Sequence, residues 1–450
     1  MKKQYVIIGG DAAGMSAAME IVRARDPVET AIVTLEKGGI YSYAQCGLPY
    51  VIEGAVRSTK QLIARDVSTF REKHGIDARI HTEVTSIDCE NKTVTFVTEK
   101  QTEETIAYDK LLIASGAKPF IPHLPGNDLP GVHTLKTIPD LEAIQTELAG
   151  TKHITIVGTG YIGLEMAEAL IAEGKQVHMV ARSHQLASTF DADMATHLME
   201  EATAQGVNVL FQTNVSALHA GDNGRVHRVE TDRGTFDTDL VLFATGIAPN
   251  TEFLNDCPIE QHENGAVCVN DYLETTVCDV YAAGDCATQY HRVKKQHDYM
   301  PLGTHANKQG RIAGMNMSET EPPRKYPGMV GTAVFRFFNL TAAMTGLTEQ
   351  AARDLNLDIE TVTYDGTHIA GYFENKMPLH VKLVYDRKSD QLYGAQAIGA
   401  GADKRIDVAA TALYQELTCR DLEDLDLSYA PPYNGVWDPL QQAARRRKRY

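Results

Sequence analysis

A chain of 450 residues is too long for one hydrophobic core and predicts two or three domains. Its 43% apolar and 23% charged residues are those of an ordinary globular protein, and no apolar run approaches the ~20 residues that cross a bilayer, so no membrane partner is expected. A formal charge of −16 disfavours nucleic acid, whose phosphates need a positive surface. The basic stretch Arg445-Arg446-Arg447-Lys448-Arg449 runs against that balance and reads as a solvated helix end rather than a nucleic-acid tether.

The first residues lead straight into a strand and a glycine turn with no small-residue cleavage site, so they read as structure, not as a signal peptide. Tyr5-Val-Ile-Ile-Gly9 is a continuous apolar run of the kind buried on both faces of a parallel sheet. The turn Gly9-Gly10-Asp11-Ala12-Ala13-Gly14 follows, then a helical stretch to about Arg25, then a strand from Thr30 to Leu35 ending on Glu36. This is a βαβ unit whose acid falls at the distance where a carboxylate meets an adenosine ribose. Its fingerprint is imperfect, because Asp11 occupies the middle glycine position.

Seven cysteines, at 46, 89, 257, 268, 278, 286 and 419, form no CxxC pair and no metal-like cluster. The odd count argues against a disulfide framework; with no export signal, a reducing cytoplasm and no metal are expected. Six read as buried packing residues. Cys46 stands apart because its loop, Ser42-Tyr43-Ala44-Gln45-Cys46-Gly47-Leu48-Pro49-Tyr50, comes some ten residues after Glu36.

The apolar strand Lys110–Ile113 ends on the tight turn Ala114-Ser115-Gly116. A second βαβ unit opens with Ile154-Thr-Ile-Val-Gly158-Thr-Gly160-Tyr161-Ile162-Gly163 and has all three glycines. They serve the turn, the close approach of a pyrophosphate and the helix packing, respectively. Its second strand, Val177 to Val180, ends on Ala181-Arg182-Ser183. An arginine without a carboxylate suits a 2′-phosphate, so this site leans to NADPH over NADH; the alternative is that Arg182 points to solvent. A strand over Asp239–Phe243 ends on Ala244-Thr245-Gly246, and Tyr281-Ala-Ala-Gly284-Asp285 offers a carboxylate to the ribityl chain of a flavin. Two dinucleotide sites in one chain point to a flavoprotein reductase with FAD at the first and a nicotinamide donor at the second.

Those elements, in this order over residues 1 to about 325, resemble the pyridine nucleotide-disulfide reductase family. The resemblance implies an α/β fold with two Rossmann-like dinucleotide-binding domains and a C-terminal α+β dimerisation domain. The FAD domain is expected over 1–120 and 245–325, the NAD(P)H domain over 121–244, and the homodimer-forming domain over 326–450. Within the family, the loop around Cys46, the segment Gly401-Ala-Asp-Lys-Arg-Ile-Asp407 and the segment Ser428-Tyr429-Ala-Pro-Pro-Tyr433 resemble the coenzyme A-disulfide reductases. The two-cysteine branch is disfavoured because position 41 is tyrosine. The NADH peroxidase and oxidase branch uses a histidine where Ala12 stands, which removes that branch's acid–base group.

On this resemblance, Cys46 is the working thiol, cycling through a Cys46–S–S–CoA mixed disulfide with electrons from NADPH, or secondarily NADH, by way of the flavin. The attacking form is the thiolate, which a helix starting at or just before Cys46, or a nearby cation, is expected to favour. Tyr429 and Tyr372 are implied to reach the partner subunit's cysteine, and Tyr433 joins them as a catalytic candidate. Tyr161 is a candidate flap over the flavin, with packing as its alternative. Ser42, Arg23 and Lys73 match positions that contact coenzyme A. Rival readings are a persulfide or polysulfide reductase, disfavoured here because the chain stops without a fused rhodanese-like domain, and an electron-transfer or redox-sensing flavoprotein with an exposed docking patch.

Overall fold

The computed structural model describes residues 2–448. Tyr5, Val6 and Ile7 are fully buried, as a two-faced parallel strand requires. Their strand, Lys3–Ile8, lies between Thr30–Leu35 and Lys110–Ile113, and Asp77–Arg79 and Val280–Ala282 complete a five-stranded parallel sheet. A second five-stranded parallel sheet is centred on His153–Val157, flanked by Gln176–Val180 and Leu240–Phe243 with Asn208–Leu210 and Val132–His133 at its edges. The chain enters and leaves this second sheet through the antiparallel ribbon of Ala117–Pro119 with Ile247–Pro249. Each sheet is followed at its first turn by a helix, Ala12–Ala24 in one and Tyr161–Ala172 in the other.

The C-terminal third is a five-stranded antiparallel sheet, in the order Ala333–Phe337, Leu340–Gly346, Leu392–Gly399, Pro378–Asp386, Ile359–Thr367. Helix Ala402–Tyr414 packs on it, with Cys419–Asp424 and Pro439–Arg445 beyond. The fold class expected from the sequence is the one observed. No helix among the described residues is long and apolar enough to cross a membrane.

One packing device was not singled out in the sequence. Helix Gly303–Met317 crosses the first helix at Gly310 and Gly314, where an added Cβ would lie 2.1 Å and 2.5 Å from the carbonyl oxygens of Ala13 and Ala17. The two helices therefore meet backbone to backbone. The start of helix Ala192–Ala204 in the second unit is joined to the C-terminal sheet by an ion cluster, in which buried Lys382 meets Asp191, Asp193 and Glu349 at 3.1, 2.9 and 2.9 Å.

The basic tail is a helix end solvated only in part: Arg445, Arg446 and Lys448 are exposed, but Arg447 is not. Arg447 is buried and paired to Asp390 at 3.0 Å and Glu423 at 2.5 Å, Lys448 meets Glu360 at 3.0 Å, and Arg445 and Arg446 lie over the rings of Trp437 and Tyr364. The acids that capture it are remote in sequence, so a local charge run concealed an anchor. Arg449 lies outside the described residues. The expectation of six buried cysteines also fails in part: Cys286 and Cys419 are buried, Cys89, Cys257 and Cys268 are half-buried, and Cys278 is exposed.

Candidate active site

The two glycine turns obey one steric rule. Gly9 has φ +112° and a Cβ there would sit 2.2 Å from the Ala114 carbonyl oxygen; Gly158 has φ +116° and faces the Ala244 carbonyl oxygen at the same 2.2 Å. This explains why the strand ends Ala114-Ser115-Gly116 and Ala244-Thr245-Gly246 recur: each closes over its own turn. Gly14 and Gly163 sit beneath, where a Cβ would strike the carbonyls of Gly9 and Gly158, so they serve helix packing. Above the turns the space is open. An added Cβ at Gly160, Gly116 or Gly246 would meet nothing within 4 Å.

Both turns open on one cleft of about 2420 Å³. Gly9, Gly10, Asp11, Ala12, Ala13, Glu36, Ala114, Ser115, Gly116 and Asp285 line it at the first sheet. Gly158, Gly160, Tyr161, Ile162, Arg182 and Gly246 line it at the second, and Cys46 lines the same space. Glu36 accepts hydrogen bonds from the amides of Gly10 (2.7 Å) and Gly38 (2.6 Å), fixing its carboxylate at the turn. The open backbone amides and this acid fit the FAD adenosine end. The open second turn and the exposed Arg182 fit a nicotinamide dinucleotide. Lys136, which the sequence reading missed, donates to Asp285 at 3.2 Å.

Asp11 does something other than meet a phosphate from the middle glycine position. Its carboxylate accepts from the Tyr43 amide (3.2 Å) and from Gln45 Nε2 (2.7 Å), tying the first turn to the cysteine loop. Burial pushes its carboxyl up to about 6. Cys46 sits in the short 3₁₀ turn Gln45–Gly47, and the helix Leu48–Ile52 begins only after it. Tyr41, where a second cysteine is excluded, is buried and its hydroxyl donates to the Arg79 carbonyl at 2.7 Å.

The cation expected near the thiol is Lys136, and the 3₁₀ turn starts just before Cys46, but the thiol is raised on balance. Burial first, and then the Glu165 and Asp285 carboxylates, raise the Cys46 thiol against the opposing pull of Lys136 and a backbone hydrogen bond. Glu165, from helix Tyr161–Ala172, is itself pushed up to about 7 by burial and accepts from the Tyr50 hydroxyl at 3.3 Å. Nothing in the sequence flagged it, because it faces Cys46 across two units of the fold. Tyr161 packs on Phe335 with ring centroids 5.0 Å apart, and its hydroxyl accepts from Thr189 at 3.1 Å.

Other predicted residues fall elsewhere. Arg23 and Lys73 come together in a separate cleft of about 450 Å³, joined by Arg65, Thr69 and His74. Arg65 was not anticipated, and Arg23 is already paired to Glu20 at 2.9 Å. Ser42 lines neither cleft; at φ +47°, its amide donates to the Gly10 carbonyl and its carbonyl accepts from Ala64. Tyr372, Tyr429 and Tyr433 lie outside the Cys46 cleft of their own chain and are 74%, 47% and 70% exposed. Tyr372 and Tyr429 are neighbours. Buried Arg405 fixes their segment by donating to the carbonyls of His368 and Tyr433 and to Asp438.

Two dinucleotide folds and a lone thiol on one cleft define an oxidoreductase that couples two nucleotides to sulfur chemistry. The chain belongs to the pyridine nucleotide-disulphide oxidoreductase family: that family's model matches residues 3–310, and the model of its dimerisation domain matches 332–439. It is therefore an NAD(P)H-dependent flavoprotein enzyme, and its dimerisation domain supports a homodimer. The chain is 39% identical over 448 residues to the NAD(P)H sulfur oxidoreductase (CoA-dependent) of Pyrococcus abyssi, covering 99% of this chain and 98% of that one. It is 29% identical to the coenzyme A disulfide reductase of Staphylococcus aureus, covering 99% and 100%. Among solved structures, an engineered water-forming NADPH oxidase derived from the Lactobacillus brevis enzyme and bound to NADPH matches with a TM-score of 0.94 and 26% identity, covering 98% and 97%.

Because the Glu165 anion disfavours a second negative charge at Cys46, Glu165→Gln lowers the thiol pKa. The effect is full above about pH 7, where Glu165 ionises, and vanishes well below it. Alkylation of Cys46 by iodoacetamide, followed by peptide mass spectrometry across pH, should show its midpoint moving to lower pH in the variant. An unchanged midpoint refutes the coupling.

Proposed function

We propose that this enzyme reduces sulfur–sulfur bonds carried on coenzyme A, with CoA persulfide or polysulfide as the first substrate and CoA disulfide as the second. The observation that carries this is the opening of Cys46 onto the cleft that joins both glycine turns. Ranking the sulfur substrates first reverses the order favoured by the motifs alone. The reason is that the Pyrococcus relative is the more similar of the two, at 39% against 29%, and is matched over 98% of its length without needing a further domain.

NADPH supplies two electrons, which FAD would relay, and with one solvent proton the two hydrogens of the products. For CoA persulfide the balance is CoA–S–SH + NADPH + H⁺ giving CoA–SH + H₂S + NADP⁺. For CoA disulfide the products are two CoA–SH. The Cys46 thiolate attacks the CoA-bound sulfur, one sulfur–sulfur bond forms as another breaks, and the leaving sulfur takes a proton. Glu36, Asp285 and the first turn hold FAD; the second turn and Arg182 hold the donor. Arg23, Lys73 and Arg65 supply the cationic cleft for the phosphates of CoA, which several such partners must share. Tyr429 and Tyr372 are delivered to Cys46 of the partner subunit, since they lie outside their own chain's cleft.

Cys46→Ser should keep the yellow flavin and retain less than about a tenth of NADPH-dependent reduction of CoA persulfide and CoA disulfide. Greater retention would leave the thiol contributing under ~1.4 kcal/mol, too little for a covalent intermediate. In the unsubstituted enzyme, kcat/KM for CoA persulfide should exceed that for CoA disulfide; the reverse order restores the disulfide as first substrate.

The donor preference rests on Ala181-Arg182-Ser183, the same tripeptide that replaces Asp-Ala-Met in the engineered NADPH oxidase. Ala181→Glu should shift kcat/KM toward NADH, because a carboxylate accepts from the ribose hydroxyl and repels a 2′-phosphate. Wild-type preference for NADH overturns this assignment.

Mixed dimers test the shared site. Tyr429→Phe alone should be strongly impaired. Exchange of its subunits with Cys46→Ser subunits should recover activity, because one of the two sites then holds both native residues. No recovery despite demonstrated exchange means that the tyrosine acts within its own chain.

A further inference from the structure

A second cluster of chemistry-bearing side chains lies away from the cleft, where the second parallel sheet's domain meets the C-terminal sheet. Asp365 and His380 are directly opposed across the antiparallel pair Ile359–Thr367 and Pro378–Asp386, with His380 Nδ1 2.7 Å from Asp365 Oδ1. His197 reaches them from helix Ala192–Ala204, its ring stacked on that of His380 with centroids 3.6 Å apart and planes 16° apart. One ligand atom from each of His197, Asp365 and His380 lies within 4.8 Å of the others. Glu200, one turn along the same helix, brings a carboxylate oxygen 3.6 Å from His197 Nδ1.

We propose that His197, His380 and Asp365, with Glu200 as the fourth ligand, form a site for a divalent transition ion of the zinc class that clamps this helix to the C-terminal sheet. The sequence reading expected no metal, because it sought cysteine-based spacings and these ligands are 165 residues or more apart between the helix and the strands.

Two imidazoles and carboxylates are a ligand set that zinc accepts in a tetrahedron. Bond lengths of about 2.0–2.2 Å place the ligand atoms of such a tetrahedron roughly 3.3–3.6 Å apart. In the stacked arrangement the nitrogen lone pairs lie in two nearly parallel ring planes, so one imidazole turns out of the stack when the ion binds. Backbone geometry restricts where those ligands can go: two are a cross-strand pair and two share one helix face at i and i+3. Face-to-face rings at 3.6 Å cannot comfortably both be cationic. A neutral imidazole with a free lone pair is the metal-binding form. The surrounding charge also favours a cation, since the nearby ammonium of Lys382 is matched by three carboxylates. Asp365 and Glu200 are exposed, with side chains 72% and 70% accessible, which leaves a path for entry.

The test uses full-length, FAD-loaded enzyme carrying Cys46→Ser, so that the reactive thiolate cannot compete for the ion. After chelator treatment and removal of the chelator, titration with Zn²⁺ should show one saturable site per chain and a higher thermal midpoint. His380→Gln and His197→Gln should each weaken binding by at least tenfold. X-ray absorption at the zinc edge of the protein without the histidine changes should find only nitrogen and oxygen neighbours at about 2.0–2.1 Å, with no sulfur near 2.3 Å. Sulfur in that shell, undiminished binding in both histidine variants, or no saturable binding overturns the site. The absorption measurement decides the question even where a histidine variant fails to fold.

Discussion

The carboxylate of Asp11 makes the first glycine turn and the cysteine loop one rigid object. It replaces the glycine expected at the middle of the turn, and it accepts hydrogen bonds from the Tyr43 amide and the Gln45 side chain instead of leaving backbone space there. A buried carboxylate is costly to ionise, which is why its pKa rises to about 6, and two donors offset part of that cost. The gain is positional. Ser42 N donates to the Gly10 carbonyl in the same place, so Cys46 is held relative to the flavin turn from both the backbone and the side chain.

From that fixed point the environment of the thiol follows. Glu165 arrives from the second dinucleotide unit and Lys136 from the segment leading into it, so the unit that holds the nicotinamide donor also sets the charge around Cys46. Tyr50 carries Glu165's hydrogen bond, and Arg336 of the C-terminal sheet lies over the Tyr50 ring while pairing with Glu53 and Glu168. All three parts of the fold thus contact the short segment that follows the cysteine. Glu165 and Lys136 pull the thiol in opposite directions, and burial tips the balance toward the protonated form in the free chain.

The legible parts of the sequence were those whose physics is local. A strand, a tight turn and a helix lie within about thirty residues, so the two βαβ units, Glu36 and the loop around Cys46 could be read in order. The illegible parts depended on encounters between remote segments. Lys136 meets Asp285, Glu165 faces Cys46, and Arg65 joins Arg23 and Lys73 only after folding. The tail misled at one residue for the same reason: Arg447 looks solvated until Asp390 and Glu423 are brought beneath it. Conversely, Gly310 and Gly314 were visible as a four-residue spacing, but only the crossing with Ala13 and Ala17 gives that spacing a meaning.

The single thiol also constrains what the substrate must be. With Tyr41 where the two-cysteine branch has its partner, breaking a sulfur–sulfur bond leaves one half of the substrate attached to Cys46. That half has to be held in register through the second half of the cycle, which favours a carrier with a large, charged handle far from the reacting sulfur. On the proposed function, a cationic cleft separate from the redox cleft is the form such a grip takes, and Arg23, Arg65 and Lys73 would supply it without adding positive charge beside the thiol. The grip and the reactive atom are then tuned independently. Sulfur chains of different length can be presented to Cys46 by the same handle, so a CoA-bound persulfide, polysulfide and disulfide differ at the leaving group and hardly at all in how they are anchored.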